Sequence, residues 1–501
     1  MQTIEEILSQ GENVEIEFKS SSDSLSKDIW STYSAMANTN GGVILLGVAE
    51  NDNEIKVKGV TDATKILKDF WSTVNSDKVN KNILVDEDVE LLEIDDKKII
   101  KINIPRANYL DKPIFVGENP YHGTYKRLND GDFRCSQEEV NRLIRDASTD
   151  GVDSRIIEHY GIDELDIETL TKYRTHFENK HRNHPYLPLN DQDFLRSLGC
   201  IAKDPNTGKM TLTQAGLLLF GKGLSIREVF PGLKLDYLDK RNLIGDQRWS
   251  DRLTIDFTWE NNLYNFYTRV LPKIVSDLKR PFKMDYETLE RIDDTPVHAA
   301  VREAFANAVI HCDYNIPGTL RADREDDKFI FMNPGILKLS LDQIFNGGMS
   351  ETRNPIIQQC FRMVGFGESI GSGIALISNA WEEQGWVAPK MEENHTLGNV
   401  RLTLLMKSED ECSESVPKCS KNVLKCSENV LKNVSIMTEV EQRESEILAL
   451  LKENPHISRT AIMKKLKLSQ RKVQWALDGL TEKNVIKRFG GARGGYWEIL
   501  G

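Results

Sequence analysis

Three polar side chains recur one helical turn apart in the segment 296–314: Glu303, Asn307 and His311. A helix places residues spaced by four on one face, so the three form a polar stripe beside an apolar one. An amide oxygen can ligate Mg²⁺ beneath a triphosphate, and a carboxylate can orient or deprotonate the attacking water. The E-x-x-x-N spacing alone is common and usually carries no function. The stripe is therefore a candidate phosphate site whose meaning depends on its neighbours.

A glycine-dense segment, residues 365–373, follows this stripe and leads into a helix predicted at 374–381. Turns of this kind let backbone N–H groups approach phosphates closely. Upstream, Asn333 and Gly335 end a strand predicted at 328–332. The sequence contains no G-x-x-x-x-G-K-[ST] motif, which excludes a P-loop helicase. A nucleotide site of another kind is expected.

A second acidic constellation lies near the N-terminus. The predicted strand 14–19 places Glu15, Glu17 and Lys19 on one face, because strand side chains alternate with period two. Carboxylates beside a lysine are a ligand set for Mg²⁺ or Mn²⁺, with the lysine steadying a scissile phosphate. Surface strands often carry the same alternation without function.

The C-terminal region is basic. Residues 459–493 hold ten Lys and Arg against two Asp and Glu, a net charge of +8, which is typical of a surface that contacts nucleic-acid phosphates. Helices are predicted at 442–453, 459–467 and 470–483, the last two after the N-cap residues Ser458 and Ser469, and a Gly-rich hairpin is predicted at 485–499.

These candidate sites need several domains to position them. The chain has 501 residues, 39% hydrophobic and 28% charged, which excludes a fibre, a wholly disordered chain or a membrane protein. Seven cysteines over this length favour reduced thiols and, with no basic segment in residues 1–10, a cytoplasmic protein. The net charge of −12 conceals a basic C-terminus, since residues 438–501 carry +4. We predict a multidomain α+β chain with an N-terminal α+β domain at 1–147, a connecting domain at 148–290, a third domain at 291–407, a linker at 408–437 and a C-terminal domain at 438–501.

The first domain resembles the Schlafen AlbA-2 domain over residues 5–147. The resemblance rests on four motifs in the family's order: E-x4-E-F-K at 12–19, A-N-T-N-G-G at 37–42, L-L-G-V at 45–48 and G-V at 59–60. It implies nucleic-acid binding and, in some relatives, RNA cleavage by three acidic residues, here Glu12, Glu17 and Glu50 with Lys19 beside them. Asp52 could replace Glu50, because the family usually has Asp at that position. The nucleic-acid contacts implied are Tyr125, Lys126, Arg127 and Arg134.

The third domain resembles the GHKL, or Bergerat, ATPase domain, an α/β sandwich, over residues 291–407. The resemblance implies ATP with Mg²⁺, Glu303 as catalytic base and Asn307 as Mg²⁺ ligand. It places Asn333 and Gly335 on the adenine side, and Gly367, Gly371 and Gly373 on the phosphate side. Most relatives have Asp where this chain has Asn333.

Three further residues of this region have two interpretations each. His311 and Asp313 either polarise the site or cap the end of the helix. Arg353 either meets the γ-phosphate or forms a structural salt bridge.

The C-terminal domain resembles a winged helix-turn-helix. The resemblance implies DNA binding through Gln470, Arg471, Lys472 and Gln474 on the recognition helix and Arg493 on the wing. A winged helix that contacts protein instead is the alternative.

Two functions follow from these resemblances. One is a regulator in which ATP, hydrolysed slowly, drives self-association into a homodimer or higher oligomer that the winged helix docks on DNA. The other is a metal-dependent RNA (tRNA) endonuclease effector under ATP control, as in phage defence. Neither predicts a membrane partner.

Overall fold

The computed structural model describes residues 4–51, 54–148, 151–279, 295–346, 351–367 and 373–408, and short pieces of the C-terminal region (447–448, 450–451, 465, 477, 480, 486–489 and 496–499). The chain divides into two compact units, Met1–Val416 and Pro417–Gly501. Within the described ranges, no helix is long and apolar enough to cross a bilayer. The fold is α+β and multidomain, as predicted.

The N-terminal domain is built around a small mixed sheet. Its elements are α1 (Ile4–Gln10), β1 (Ile16–Lys19), α2 (Ile29–Asn38), β2 (Gly42–Leu46), β3 (Val48–Asn51), β4 (Glu54–Val57), α3 (Ala63–Val74), β5 (Val89–Ile94), β6 (Lys97–Ile104), α4 (Pro120–Gly123), β7 (Tyr125–Leu128), β8 (Gly131–Arg134) and α5 (Gln137–Asp146). The strand order is β1-β2-β6-β5, with β1 parallel to β2 and the other pairs antiparallel. Helix α2 is almost wholly buried, and Trp30 stacks on Phe70 of α3.

The residue pattern of 89–104 predicts two strands joined at Asp95 and Asp96, and the structure confirms both strands. Asp95 and Asp96 both adopt positive φ (50° and 61°). Asp tolerates this left-handed conformation better than most residues, so the Asp-Asp pair permits the tight turn.

The following elements make up the rest of the described part of the first unit, and the last six of their strands form one larger sheet. They are α6 (Ile167–Lys180), α7 (Asp191–Ser197), β9 (Ile201–Lys203), β10 (Met210–Leu212), α8 (Gln214–Phe220), α9 (Gly223–Val229), β11 (Leu233–Asp239), β12 (Asp251–Leu253), α10 (Leu263–Ile274), α11 (Pro296–Ile310), β13 (Gly318–Arg324), β14 (Lys328–Pro334), α12 (Leu341–Asn346), α13 (Pro355–Val364), α14 (Gly373–Glu383), β15 (Lys390–Asn394) and β16 (Asn399–Leu405). The sheet runs β12-β11-β13-β14-β16-β15, and β11 is parallel to β13.

The predicted boundary between residues 290 and 291 does not separate two cores. Strands β11 and β12 precede the boundary, yet they extend the sheet formed by β13 to β16. One hydrophobic cluster also runs from Leu165 to Leu404. The predicted boundary at residues 290 and 291 is therefore corrected, because the predicted connecting domain supplies two strands of the third domain's sheet.

Helix α11 carries the polar stripe and lies on this sheet. Thr295 caps its start by accepting from the His298 backbone N–H, and Pro296 occupies the first turn, where its missing N–H costs nothing. Phe305 stacks on Phe331 of β14, with ring centroids 5.8 Å apart. The predicted apolar stripe is confirmed as buried: Val297, Ala300, Val301, Ala304, Phe305, Ala308 and Val309.

In the C-terminal unit, β17 (Ile486–Phe489) and β18 (Tyr496–Ile499) pair antiparallel, which confirms the predicted hairpin. Gln470, Arg471, Lys472, Gln474 and Arg493 lie outside the described residues, as does the predicted linker beyond residue 408.

Candidate functional site

A pocket opens beside the polar stripe of α11. Strands β14 and β16, the segment 336–344, and the ends of α13 and α14 complete its walls. Its lining includes most of the residues predicted for a nucleotide: Glu303, Asn307, His311, Asn333, Arg353, Gly367 and Gly373. Gly335 lies against Arg353, because a methyl group at Gly335 would be 2.6 Å from Arg353 Nη1. Gly371 lies outside the described residues.

The start of α14 lies against the polar stripe with no room for a side chain. A methyl group at Gly373 would lie 2.5 Å from Glu303 Oε1 and 2.9 Å from Asn307 Nδ2. Gly367 is less crowded, since a methyl group there would lie 3.7 Å from Glu303 Oε2. Glu303 itself is only 6% exposed. Backbone at residue 373 therefore closely approaches the two side chains predicted for hydrolysis and metal binding.

Much of the remaining pocket lining is apolar and suits a flat heterocycle. Its lining side chains include Phe331, Ile336, Ile344, Ile377, Met391 and Leu402. Buried beside them, Asn333 donates from its amide nitrogen to the Pro334 carbonyl at 3.3 Å. The amide oxygen of Asn333 remains an acceptor for an exocyclic amine.

Arg353 lines the pocket and makes four hydrogen bonds inside the protein. It is 3% exposed, and its Nη1 donates to the His311 carbonyl at 2.7 Å. Its Nη2 donates to Ile336 O and Asp146 Oδ2, each at 2.9 Å, and its Nε donates to Asp146 Oδ1 at 3.2 Å. Of the two predicted roles, the structure contains the salt bridge. A γ-phosphate contact stays a prediction, since these bonds use four of the five guanidinium N–H groups.

His311 and Asp313 end α11 without presenting charge to the pocket. Burial, together with the positive charges of Arg353 and Lys338, lowers the pKa of His311 to about 4, so the imidazole is neutral at pH 7. Its backbone N–H donates to Asn307 O at 2.9 Å as the helix C-cap. Asp313 is ion-paired with Arg145, and its side chain also accepts from Asn315 N at 3.0 Å.

Several lining residues were not identified from the sequence. Lys338, Glu351, Gln358 and Arg362 all line the pocket. Lys338 follows the Asn333–Gly335 turn by only three residues, which is the one local signal that could have indicated it.

The carboxylates of Glu12 and Glu50 both accept hydrogen bonds from nearby backbone N–H groups. Glu12 Oε1 accepts from Phe18 N at 3.0 Å, and Glu50 Oε2 accepts from Glu12 N at 2.8 Å. Burial raises the pKa of Glu12, and the charges of Glu17 and Glu50 add to that rise.

Two cations hold Glu17. Lys19 Nζ and Arg127 Nη2 each lie 2.6 Å from its carboxylate, and Lys19 also pairs with Asp28. Among the described residues no group of three or more His, Cys, Asp or Glu is arranged to hold a metal ion. Asp52 lies outside the described residues.

The predicted nucleic-acid patch of this domain needs correction. Arg127 is 2% exposed and also bonds Asp132 and the Asn13 carbonyl, so it cannot reach a phosphate. Lys126 is paired with Glu139. Tyr125 and Arg134 face each other across the β7–β8 hairpin, and Arg134 is exposed. Arg134 remains the accessible cation of the four predicted residues.

Comparison with known proteins assigns four segments. "Schlafen, AlbA_2" matches residues 12–136, and "Domain of unknown function (DUF8451)" matches 141–236. "Putative ATP-dependent DNA helicase recG C-terminal" (HATPase_c_4) matches 323–404, and "Winged helix-turn-helix DNA-binding" matches 441–487.

Two solved structures are similar to the chain. The DIP2311 protein from Corynebacterium diphtheriae is 17% identical over 100% of this chain and 93% of its own, with a TM-score of 0.39. The N-terminal domain of a RecG-related protein from Nitrosomonas europaea is 25% identical over 27% of this chain and 94% of its own, with a TM-score of 0.21. At these scores neither likeness bears on function. No curated protein matches the chain. From the family matches, the chain combines a Schlafen AlbA_2 domain, a recG C-terminal ATPase-like domain and a C-terminal winged helix-turn-helix.

Proposed function

We propose that this chain is a nucleotide-controlled, DNA-binding regulator whose pocket on α11 takes ATP. The observation that carries the proposal is the approach of Gly373 to Glu303 and Asn307, in a pocket much of whose remaining lining is apolar. A glycine backbone beside a carboxylate and an amide supports phosphate binding, and the apolar lining supports binding of the base.

Each pocket residue has a task in this proposal. Glu303 orients and deprotonates the attacking water, while Asn307 offers its amide oxygen to Mg²⁺. Mg²⁺, when bound, would neutralise part of the negative charge of the triphosphate. Asn333 and Gly335 contact the adenine side, and Gly367, Gly371 and Gly373 contact the phosphates. We expect slow hydrolysis.

Nucleotide occupancy then controls self-association and DNA docking. The net charge of +8 over residues 459–493 supports phosphate contacts by the winged helix. Two identical winged helices in a dimer contact two half-sites, which converts self-association into higher DNA affinity.

The N-terminal domain is assigned to nucleic-acid binding rather than cleavage. Glu17 is shared between Lys19 and Arg127, so a metal ion would have to displace two buried cations from it. The competing endonuclease hypothesis requires Mn²⁺ or Mg²⁺ at Glu12, Glu17 and Glu50. Incubation of the protein with Mn²⁺, ATP and tRNA distinguishes the two, because cleavage that is lost in Glu17→Ala would contradict our assignment.

The test of the regulator is DNA affinity and molar mass with and without a non-hydrolysable ATP analogue. We expect the analogue to increase both in the wild type and to change neither in Asn307→Ala. Asn379→Ala, an exposed amide on α14, is the matched control and should respond like the wild type. Analogue-independent mass and DNA affinity in the wild type would contradict the proposal.

A further inference from the structure

One wall of the pocket is in contact with the N-terminal domain. Leu337, Lys338 and Glu351 line this wall. The Tyr109 hydroxyl, in the 3-10 turn Tyr109–Asp111, donates to Glu351 Oε2 at 2.6 Å. Lys338 Nζ lies 4.2 Å from the centroid of the Tyr109 ring. A single tyrosine of the N-terminal domain therefore contacts both charged side chains of this wall.

Arg106 holds the backbone of the same wall. Its Nη2 donates to Leu337 O at 2.6 Å and its Nη1 to Glu393 Oε2 at 3.0 Å. Glu393 Oε1 in turn accepts from Leu337 N at 2.7 Å. The side chains of Arg106 and Glu393 are only 10% and 6% exposed, so water competes little with this pair. Both backbone polar groups of Leu337 are thus fixed by one interdomain ion pair.

Two further ion pairs connect the N-terminal domain to Arg353 of the pocket lining and to Asp313 after α11. Asp146 of α5 accepts two bonds from Arg353, which also holds the His311 and Ile336 carbonyls. The neighbouring Arg145 pairs with buried Asp313. The N-terminal domain therefore contacts the pocket at the end of α11 as well as along the wall lined by Leu337, Lys338 and Glu351.

The turn that carries Tyr109 is itself fixed. The Asn108 side chain accepts from Leu110 N at 3.0 Å. Buried Lys112 donates to Asn38 O at 2.7 Å, which ties the turn to the end of α2. Tyr109 is 9% exposed. Hydrogen bonds therefore connect the pocket wall, through Tyr109 and its turn, to the end of α2.

We propose that Tyr109 and Arg106 are positioning residues of the nucleotide pocket, so that nucleotide binding and the docking of the AlbA_2 domain are thermodynamically linked. The inference rests on the proposed function, since it assigns a second domain to the same ATP site. Linkage is reciprocal: the factor by which the docked domain tightens ATP binding is the factor by which ATP tightens docking.

The test is ATP affinity by calorimetry in Tyr109→Phe, which deletes the hydroxyl and keeps the ring beneath Lys338. Loss of a hydrogen bond to a charged group corresponds to about a tenfold weaker Kd when the bond organises the site. Tyr121→Phe is the matched control, because its hydroxyl bonds Asn141 within the N-terminal domain, and it should bind ATP like the wild type.

A double-mutant cycle separates positioning from general stability. Tyr109→Phe and Glu351→Ala should be non-additive in ATP affinity, because each removes one partner of the same hydrogen bond. Hydrogen exchange supplies the reciprocal readout: ATP should slow exchange in residues 104–112 of the wild type and have less effect there in Tyr109→Phe.

The outcomes distinguish the two proposals. A wild type that binds no ATP would overturn the proposed function. A wild type that binds ATP, with Tyr109→Phe and Arg106→Gln both within twofold of its Kd and with lowered melting temperatures only, would overturn the positioning role and leave the ATP site intact.

Discussion

Gly373→Ala should disable the pocket while Gly367→Ala should not. At position 373 the added methyl group would lie 2.5 Å from Glu303 Oε1, whereas at position 367 its nearest neighbours are at 3.7 Å. An ordinary contact needs about 3.4 Å or more, so Glu303 or the start of α14 must move by roughly 1 Å. A displacement of that size at a catalytic group costs about 100-fold in rate.

Stability should change much less than activity. Gly373 opens α14, where alanine is favoured over glycine by up to about 1 kcal/mol. Overpacking opposes this gain by about 1–3 kcal/mol, so the net loss should be small. Loss of function would then arise from the site rather than from unfolding.

The assay is ATP affinity and steady-state hydrolysis of both variants, with thermal melts alongside. We expect Gly373→Ala to lose at least tenfold in affinity and about 100-fold in turnover, and Gly367→Ala to remain within about threefold of wild type. If Gly373→Ala binds and hydrolyses ATP as the wild type does, the placement of the phosphate side is refuted.

Three further predictions concern buried charge. The pKa of His311 is about 4 in the folded protein and about 6.5 in the unfolded chain, so the free energy of unfolding is highest above pH 6.5 and falls by on the order of 3 kcal/mol as the pH falls towards 4. Urea unfolding at pH 7 and pH 4.5 should show a smaller fall in His311→Gln than in the wild type. Equal falls in the two proteins would contradict the burial of a neutral imidazole. Arg127→Ala should lower the free energy of unfolding by about 3–5 kcal/mol, since it leaves Glu17 and Asp132 without their buried arginine partner. Arg134→Ala should weaken nucleic-acid binding and leave the melting temperature unchanged. Weaker nucleic-acid binding in Arg127→Ala with an unchanged melting temperature would instead place Arg127 on the binding surface. Asp146→Asn should destabilise the protein by a similar amount in urea, because Arg353 loses its buried counter-charge, and a change below about 1 kcal/mol would show that the carbonyl bonds suffice.

Local patterns predicted the parts of the fold that depend on local rules. The i, i+4, i+8 stripe of α11 and the hairpin at Asp95–Asp96 follow from helical period and turn chemistry, and both are present. The boundary at residue 290 was wrong because β11 joins β13 across about eighty residues of sequence, and strand pairing at that separation leaves no local signal.

The residues of the candidate site were likewise predictable where the signal is local and not where their partners are distant in sequence. The pocket's α11 and glycine residues were identifiable from their spacing only together with the resemblance to the GHKL ATPase domain. Arg353 was ambiguous because a cation near a glycine turn suits a phosphate or a carboxylate equally well, and its carboxylate partner Asp146 lies 207 positions away. Tyr109 and Arg106 could not have been found, since their partners are more than 200 residues distant and belong to another domain.

The most direct test of the central claim is calorimetric titration of ATP with Mg²⁺ into the wild type and into Glu303→Ala/Asn307→Ala, with Glu382→Ala, an exposed carboxylate on α14, as control. The account predicts saturable binding of one ATP per chain in the wild type and the control, and none in the double variant. Equal affinity and hydrolysis in the double variant, or no binding by the wild type, would contradict it.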